Sequence, residues 1–526
     1  MSTHLTIALL DPRPAWELLL GQLGVDWDIP GDLSALSPAS HAAVICNRPL
    51  SGDSAAALEA YLRQGGAVLD TGPLFEVLFN ERPNRTYLRT VYPGQTHPLF
   101  KGIDLIDLFS RHWTLKNDAI ERGLVAFRTA GKGTAAFLGL DLDHLLLDTR
   151  RQRKAFYHPD VERFPNELVS RVSKGAVSRL VERLLQELFF RRRLPYVHWW
   201  HYPEGAPTLF GLRLDSDYGE RDRIHAYLSL LDEQEIPATW FVHAEAHEDW
   251  IADFATFRGH EIAAHGYRHH TYRDYDSNAS NIRRCQALLG AHGIRARGFA
   301  APYGLWNGRL ARVMDDLGLT YSSEFSLAYD HWPFHPHFRH AALSTLQVPV
   351  HPVCIGSLAN AGFTPAAMRA YFTGRIRRSL ANHDPLLLYD HPTHDHLDVI
   401  ADVLSTVRDA GIPCRTLGAY ADWWVTRGRT RWTGVVRDDT LAVQAEGAAA
   451  DLYLGIHRSG VAARVRPASE IDLAGLRWER SDPEALPADI RRVRRFDPRR
   501  VHQSILTSYW RHQNRRRDER NGGGNP

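Results

Sequence analysis

The chain has 526 residues, too many for one ordinary core, so about three domains are expected. Apolar residues make up 44% and charged residues 24%, the balance of a soluble globular protein, and a net charge of +2 excludes a surface built throughout for nucleic acid. No apolar run approaches the roughly 20 residues that a membrane-spanning helix needs. Cys46, Cys285, Cys354 and Cys414 are scattered without a Cys-x-x-Cys pair and read as buried thiols of a reducing compartment. Asp11 and Pro12 interrupt the first apolar run too early for a signal peptide, so a cytoplasmic location is expected.

Residues 1–150 alternate short aliphatic runs with amphipathic stretches. Leu5–Leu10, Ala42–Cys46, Ala67–Leu69 and Thr134–Leu140 have the length and composition of buried parallel strands. Between them, Asp53–Gln64 places Ala57, Leu58, Tyr61 and Leu62 at helical spacing, and Gly65-Gly66 stops the helix. The pattern predicts a flavodoxin-like open α/β sheet. With its Leu58–Gly72 stretch, LEAYLRQGGAVLDTG, this domain resembles the glutamine-amidotransferase-like fold. That family's nucleophile is a Cys within Gly-x-Cys-x-Gly. Cys46 stands in Val-Ile-Cys-Asn-Arg, so a non-catalytic domain is expected.

Residues 151–204 read as a helical linker. Val169, Val172, Ala176, Leu180, Leu184 and Leu188 recur every three or four positions, Arg191–Arg193 places positive charge at the helix C-terminus, and Pro195 closes the pattern. Tyr196, Trp199, Trp200 and Tyr202 then form either a sugar-stacking surface or an interdomain packing patch. Residues 205–427 carry strands at Leu209–Leu214, Ala238–Val242, Glu261–Ala264, Leu346–Val350 and Leu386–Tyr389. Helices fit Asp222–Gln234, Asn278–His292, Gly308–Leu317 and Pro365–Asn382. Repeated β/α units predict a distorted (β/α) barrel with its site at the strand C-termini. Residues 428–510, with short strands at Trp432–Val436, Thr440–Gln444 and Leu452–His457, predict a small antiparallel β domain, and 511–526 a disordered tail.

The chemistry is concentrated in the barrel. Strand alternation predicts that Arg213, Asp215 and Asp217 share one face at a strand's C-terminal end. Two carboxylates so close need a cation or a shared proton. His265 and His269, four apart, have the spacing of one helical turn and close a facial triad with a carboxylate.

Over roughly residues 207 to 425 the chain resembles the polysaccharide deacetylases, carbohydrate esterase family 4, with a NodB homology domain. The carriers are Leu214-Asp-Ser-Asp-Tyr-Gly219, His265-Gly-Tyr-Arg-His269, Gly298-Phe-Ala-Ala-Pro-Tyr-Gly304 and Leu386-Leu-Leu-Tyr-Asp-His391, in the family's order. The resemblance implies Asp215 as catalytic base, Asp217, His265 and His269 as metal ligands, Tyr303 as backbone donor to the oxyanion, and His391 as the acid. Arg213, Tyr218, Pro302, Trp306 and Trp332 are expected to contact substrate. The loop His331–His340 offers Trp332 and Phe334 either as a sugar platform or as pins to the core, and His351 either enters the pocket or ends a strand. Two motif positions depart from the family. Ala300 stands where an Arg orients the base, and Arg213 is its candidate substitute. The Asp that supports the catalytic His has Asp330 and Glu324 as candidates. The resemblance implies a divalent metal, zinc first and cobalt, nickel or iron also suited to the donors. It also implies hydrolysis of a C–N amide bond, as deacetylation of an N-acetylated sugar. A hydrolase of small cyclic amides or imides and a degenerate carbohydrate-binding protein are the alternatives. No nucleic-acid partner is expected, and the oligomeric state stays open.

Overall fold

The computed structural model describes residues 2–47, 50, 52–72, 74–94, 97–103, 105–116, 120–158, 164–339, 341–480, 483, 484, 488–495, 498, 502, 505 and 509. The expected tail, 511–526, lies outside the described residues. Among the described residues no helix is long and apolar enough to cross a membrane.

Aliphatic runs too short for helices form a seven-stranded, all-parallel sheet. Its order is Leu346–Gln347, Tyr321–Ser322, Gly298–Phe299, Glu261–Ala264, Ala238–Val242, Phe210–Asp215 and Leu386–Asp390. All six pairings are parallel, with Leu212 opposite Ala238 and Phe210 opposite Leu386. The sheet curls into a half-barrel whose ends approach each other: beyond the edge strand, the His351 N–H donates to the Leu387 carbonyl at 2.7 Å. Every residue of Phe210–Asp215 is buried, as in a sheet covered on both faces. The helix Arg221–Glu233 packs Ile224, Tyr227 and Leu231 into this core at helical spacing. Local signals fix where such helices start. Thr364 accepts the Ala367 N–H ahead of Pro365, and Asn307 accepts the N–H groups of Arg309 and Leu310. Each such cap contributes about 1 kcal/mol. The two-residue strands Gly298–Phe299 and Tyr321–Ser322 were not expected, because two residues carry no periodicity.

Ahead of the barrel lies a six-stranded sheet ordered Trp27–Asp28, Ile7–Leu10, Ala43–Cys46, Ala67–Asp70, Gly133–Leu138 and Val125–Ala130. Its last strand alone is antiparallel to its neighbour. The linker departs from expectation. Asn166–Ser170 is a strand paired antiparallel with Arg151–Ala155, and the helix starts only at Lys174 and ends at Arg191. Val169 and Val172 fit the helical period, but both are β-branched and cross-strand pairing prevails at the first. Tyr196, Trp199, Trp200 and Tyr202 are all buried and join the main core, so they are a packing patch.

The C-terminal strands do not close on themselves. Trp432–Arg437 and Thr440–Ala445 form a hairpin that takes Ser2–His4 on one edge and Glu470–Asp472 on the other. Leu454–Arg458 and Val461–Val465 pair with Tyr196–Trp199 and Glu479–Arg480. One core therefore contains Leu5, Leu184, Trp424, Trp432 and Leu454 together. A buried ion cluster ties the same parts: Asp107 lies 3.0 Å from Lys154 and 2.8 Å from Arg494.

Candidate active site

The strand Phe210–Asp215 delivers Arg213 and Asp215 to one face, as alternation requires. The Arg213 Nε and Nη2 donate to the two carboxylate oxygens of Asp215 at 2.7 and 2.6 Å, and Nη1 donates to the Ser323 carbonyl. Arg213 is 0% exposed, so this fork is fully desolvated. Burial works against the Asp215 charge. Arg213 and His265 outweigh it and leave the carboxyl below its ordinary value.

Asp217 arrives differently from the expectation. The strand ends at Asp215, and Asp217 sits in a left-handed turn with φ 41°, a conformation that Asp tolerates better than most residues. His243 donates from Nδ1 to the Asp217 carbonyl at 2.8 Å and holds the turn. The two histidines also converge without a helix. They lie on the loop after Glu261–Ala264, which Gly266 turns at φ +93°. Asn281 clamps this loop by accepting the Arg268 N–H at 2.7 Å and donating to the carbonyls of Arg268 and His270.

The result is a three-donor cluster. The Nε2 atoms of His265 and His269 lie 3.2 and 3.1 Å from Asp217 Oδ1. His265 donates its Nδ1–H to the Ala300 carbonyl at 2.7 Å, so its Nε2 presents a lone pair to the carboxylate. Asp217 Oδ1 is buried with no hydrogen bond among the described residues. Two imidazole nitrogens gathered on a buried carboxylate oxygen fit a divalent cation, which would take them in their neutral form. Burial opposes the Asp217 charge, and the neighbouring His269 and His391 more than offset it, holding the carboxyl well below its ordinary range.

His391 follows the strand Leu386–Asp390, with Nε2 3.7 Å from Asp217 Oδ2. Tyr303, at φ 60°, lies edge-on to His269 at 4.7 Å. Asp215, Asp217, His265, His269, Tyr303 and His391 all line one cavity of about 170 Å³. The expected substrate contacts lie off the lining of this cavity. Tyr218 is 60% exposed and packs edge-on against His243. Arg213 is locked to Asp215, and Pro302 and Trp306 are buried outside the cavity lining. Trp332 is no platform: it stacks on His201 at 4.2 Å in the core, with Phe334 buried beside it. His351 is buried against Tyr371, 2.9 Å from its hydroxyl.

Neither candidate for the missing supporting Asp reaches His391. Glu324 accepts the Ala301 N–H at 2.7 Å and the Ser322 hydroxyl at 3.0 Å, and burial pushes its carboxyl up to about 8. Asp330 accepts the Ala176 N–H at 3.2 Å on the linker helix. The buried His391 Nδ1 has no hydrogen-bond partner among the described residues. The rest of the cavity lining was not foreseen. This part of the lining includes Glu167 from the linker strand, Cys354, Ser357, Asn360, Tyr389 and His394. The Ser357 hydroxyl donates to Glu167 at 2.6 Å. The Asp390-His391-x-x-His394 spacing was the one sequence signal available for this part.

Residues 212–322 match the family model described as polysaccharide deacetylase, a span that runs from the first barrel strand to the fifth. None of the curated proteins matches the chain. A crystal structure of a polysaccharide deacetylase from Mycobacterium smegmatis aligns at 18% identity and TM-score 0.39, over 44% of this chain and 95% of that one. PuuE allantoinase aligns at 17% identity and TM-score 0.36, over 43% and 93%. A CE4 family pseudoenzyme from Bacillus anthracis aligns at 14% identity and TM-score 0.31, over 41% and 66%. At TM-scores below 0.5 none of these likenesses bears on the chemistry.

Proposed function

We propose that this chain is a metal-dependent amidohydrolase that removes the acetyl group from an N-acetylated sugar. The supporting observation is the convergence of Asp217, His265 and His269 on one unsatisfied oxygen, with the Arg213–Asp215 pair and His391 on the same cavity. A divalent ion held by Asp217, His265 and His269, zinc by preference, would supply Lewis acidity toward water and the acyl oxygen. Asp215 removes a proton from the attacking water, and Arg213 keeps it ionised and oriented. The Tyr303 backbone N–H is assigned to the developing oxyanion. His391 protonates the departing amine; burial lowers its imidazole below the ordinary value, which makes the protonated form a stronger acid, and the carboxylate of Asp217 opposes that shift. Residues 1–150 and 428–510 are assigned non-catalytic roles in positioning substrate or partner.

A second reading, a small cyclic amide or imide as substrate, draws on the cavity. About 170 Å³ is small beside the roughly 300–1,000 Å³ of typical ligand sites. One experiment tests both. Metal content is measured on wild type and on His265→Ala with His269→Ala, followed by a screen of N-acetyl sugars against cyclic amides. One metal lost with the histidines and turnover of N-acetyl sugars support the proposal. Turnover of cyclic amides alone supports the second reading, and a metal-free wild type after incubation with zinc or cobalt defeats both.

A further inference from the structure

Four side chains with no role in the chemistry above, or only one, form a second donor cluster beside the first. One ligand atom from each of Cys354, Asp390, His391 and His394 lies within 4.8 Å of all the others. Asp390 ends the last barrel strand, and a turn closed by the His394 N–H on the His391 carbonyl at 3.1 Å folds His394 back over His391. Their rings meet edge to face at 4.6 Å. Cys354 comes from the opposite side, at the N-cap of the helix Ile355–Asn360. Gly356 permits this approach, since a Cβ there would collide with the His394 ring.

We infer that Cys354, Asp390, His391 and His394 form a second, inhibitory site for a thiophilic divalent cation, resting on the assignment of His391 as the acid. Burial pushes the Cys354 thiol up to about 12, so the ion would bind with release of its proton to solvent, and the resulting thiolate, one carboxylate and two imidazoles make a four-donor set of the kind that zinc and cobalt prefer. Cys354, His391 and His394 line the cavity, so an ion reaches them by the route that serves the first cluster. Among the described residues the buried His391 Nδ1 has no hydrogen-bond partner, and Cys354 Sγ lies 3.5 Å from Ser357 Oγ with the Tyr389 hydroxyl also against it. Asp390 Oδ1 and His394 Nδ1 stand 2.9 Å apart, a pair that shares a proton in one state and a cation in the other. With a nitrogen of His391 given to the ion, the group that protonates the amine is withdrawn. Asp217 Oδ2 lies 3.7 Å from His391 Nε2, so the two clusters adjoin.

The test is a titration of the metal-stripped full chain with Co(II), followed by metal content and near-ultraviolet absorption. Wild type is expected to bind two equivalents, one of them bringing a thiolate-to-cobalt charge-transfer band. Cys354→Ser should lose that band and one equivalent while keeping the other, and His394→Ala should lose the same equivalent. His265→Ala with His269→Ala should keep the band. Filling the second site should lower turnover by about 100-fold, the loss expected for removing a general acid. A single equivalent in wild type, the absence of the band, or a band that survives Cys354→Ser overturns the inference. The absorption readout needs no turnover, so failure of the deacetylase reading is told apart from failure of the second site.

Discussion

Replacing Arg213 with methionine removes the guanidinium that is proposed to keep Asp215 ionised and oriented. In the native protein it makes two hydrogen bonds to Asp215, at 2.7 and 2.6 Å, and a third to the Ser323 carbonyl, all out of water. Breaking a buried pair by removing one partner costs about 3–5 kcal/mol, because the other charge stays behind unpaired. Part of that cost returns as protonation. Burial already presses the Asp215 carboxyl upward, with Arg213 the main opposing charge. In the native protein the carboxyl lies below its ordinary value, so its contribution to stability is present above about pH 4 and is lost as pH falls through the folded pKa. In the variant the shift reverses, and stability declines as pH rises past that value. The acid limb of kcat/KM should move up, by about one pH unit for each 1.4 kcal/mol of lost charge stabilisation. Denaturant unfolding and a pH–rate profile on an N-acetyl sugar read the two effects. Adding Ala300→Arg to the variant should bring the limb part of the way back. An unmoved acid limb together with a stability loss below about 1 kcal/mol would refute the role given to Arg213.

Removing the acid, His391→Ala, should lower kcat by about 100- to 10,000-fold while the first metal equivalent is retained; undiminished turnover would exclude it as proton donor. Asp107→Asn should cost about 3–5 kcal/mol near neutral pH by stranding Lys154 and Arg494. Burial alone would raise the Asp107 carboxyl, but the two cations hold it below its ordinary value. The gap between wild type and variant should therefore be full above about pH 4 and close as pH falls further, measured by denaturant unfolding. Gly266→Ala forces a φ of +93° on a residue with a Cβ 2.8 Å from Asn281 Nδ2 and 2.9 Å from the Arg268 carbonyl oxygen. It should cost about 1–3 kcal/mol and weaken metal retention against a chelator; unchanged retention would show that the loop does not set the cluster.

The sequence by itself determined whatever depends on neighbours along the chain. Ala238–Val242, Glu261–Ala264 and Pro365–Asn382 have the bounds that the sequence pattern predicts. Four motifs, read through their resemblance to a known family, named the six side chains Asp215, Asp217, His265, His269, Tyr303 and His391, and all six line the cavity. Only the tertiary structure decided how they get there: Asp217 through a left-handed turn past the strand end, His265 and His269 through a glycine loop that Asn281 clamps. It alone brought Glu167 out of the linker into the site, sent Trp332 into the core, and gave Ser2–His4 and Tyr196–Trp199 to the C-terminal strands. Periodicity and capping act over a few residues, so they are written locally. Which strand edge is filled, and which aromatic is buried, follows from the free energy of covering apolar surface and pairing backbone groups across the whole fold. Residues hundreds of positions apart settle that together.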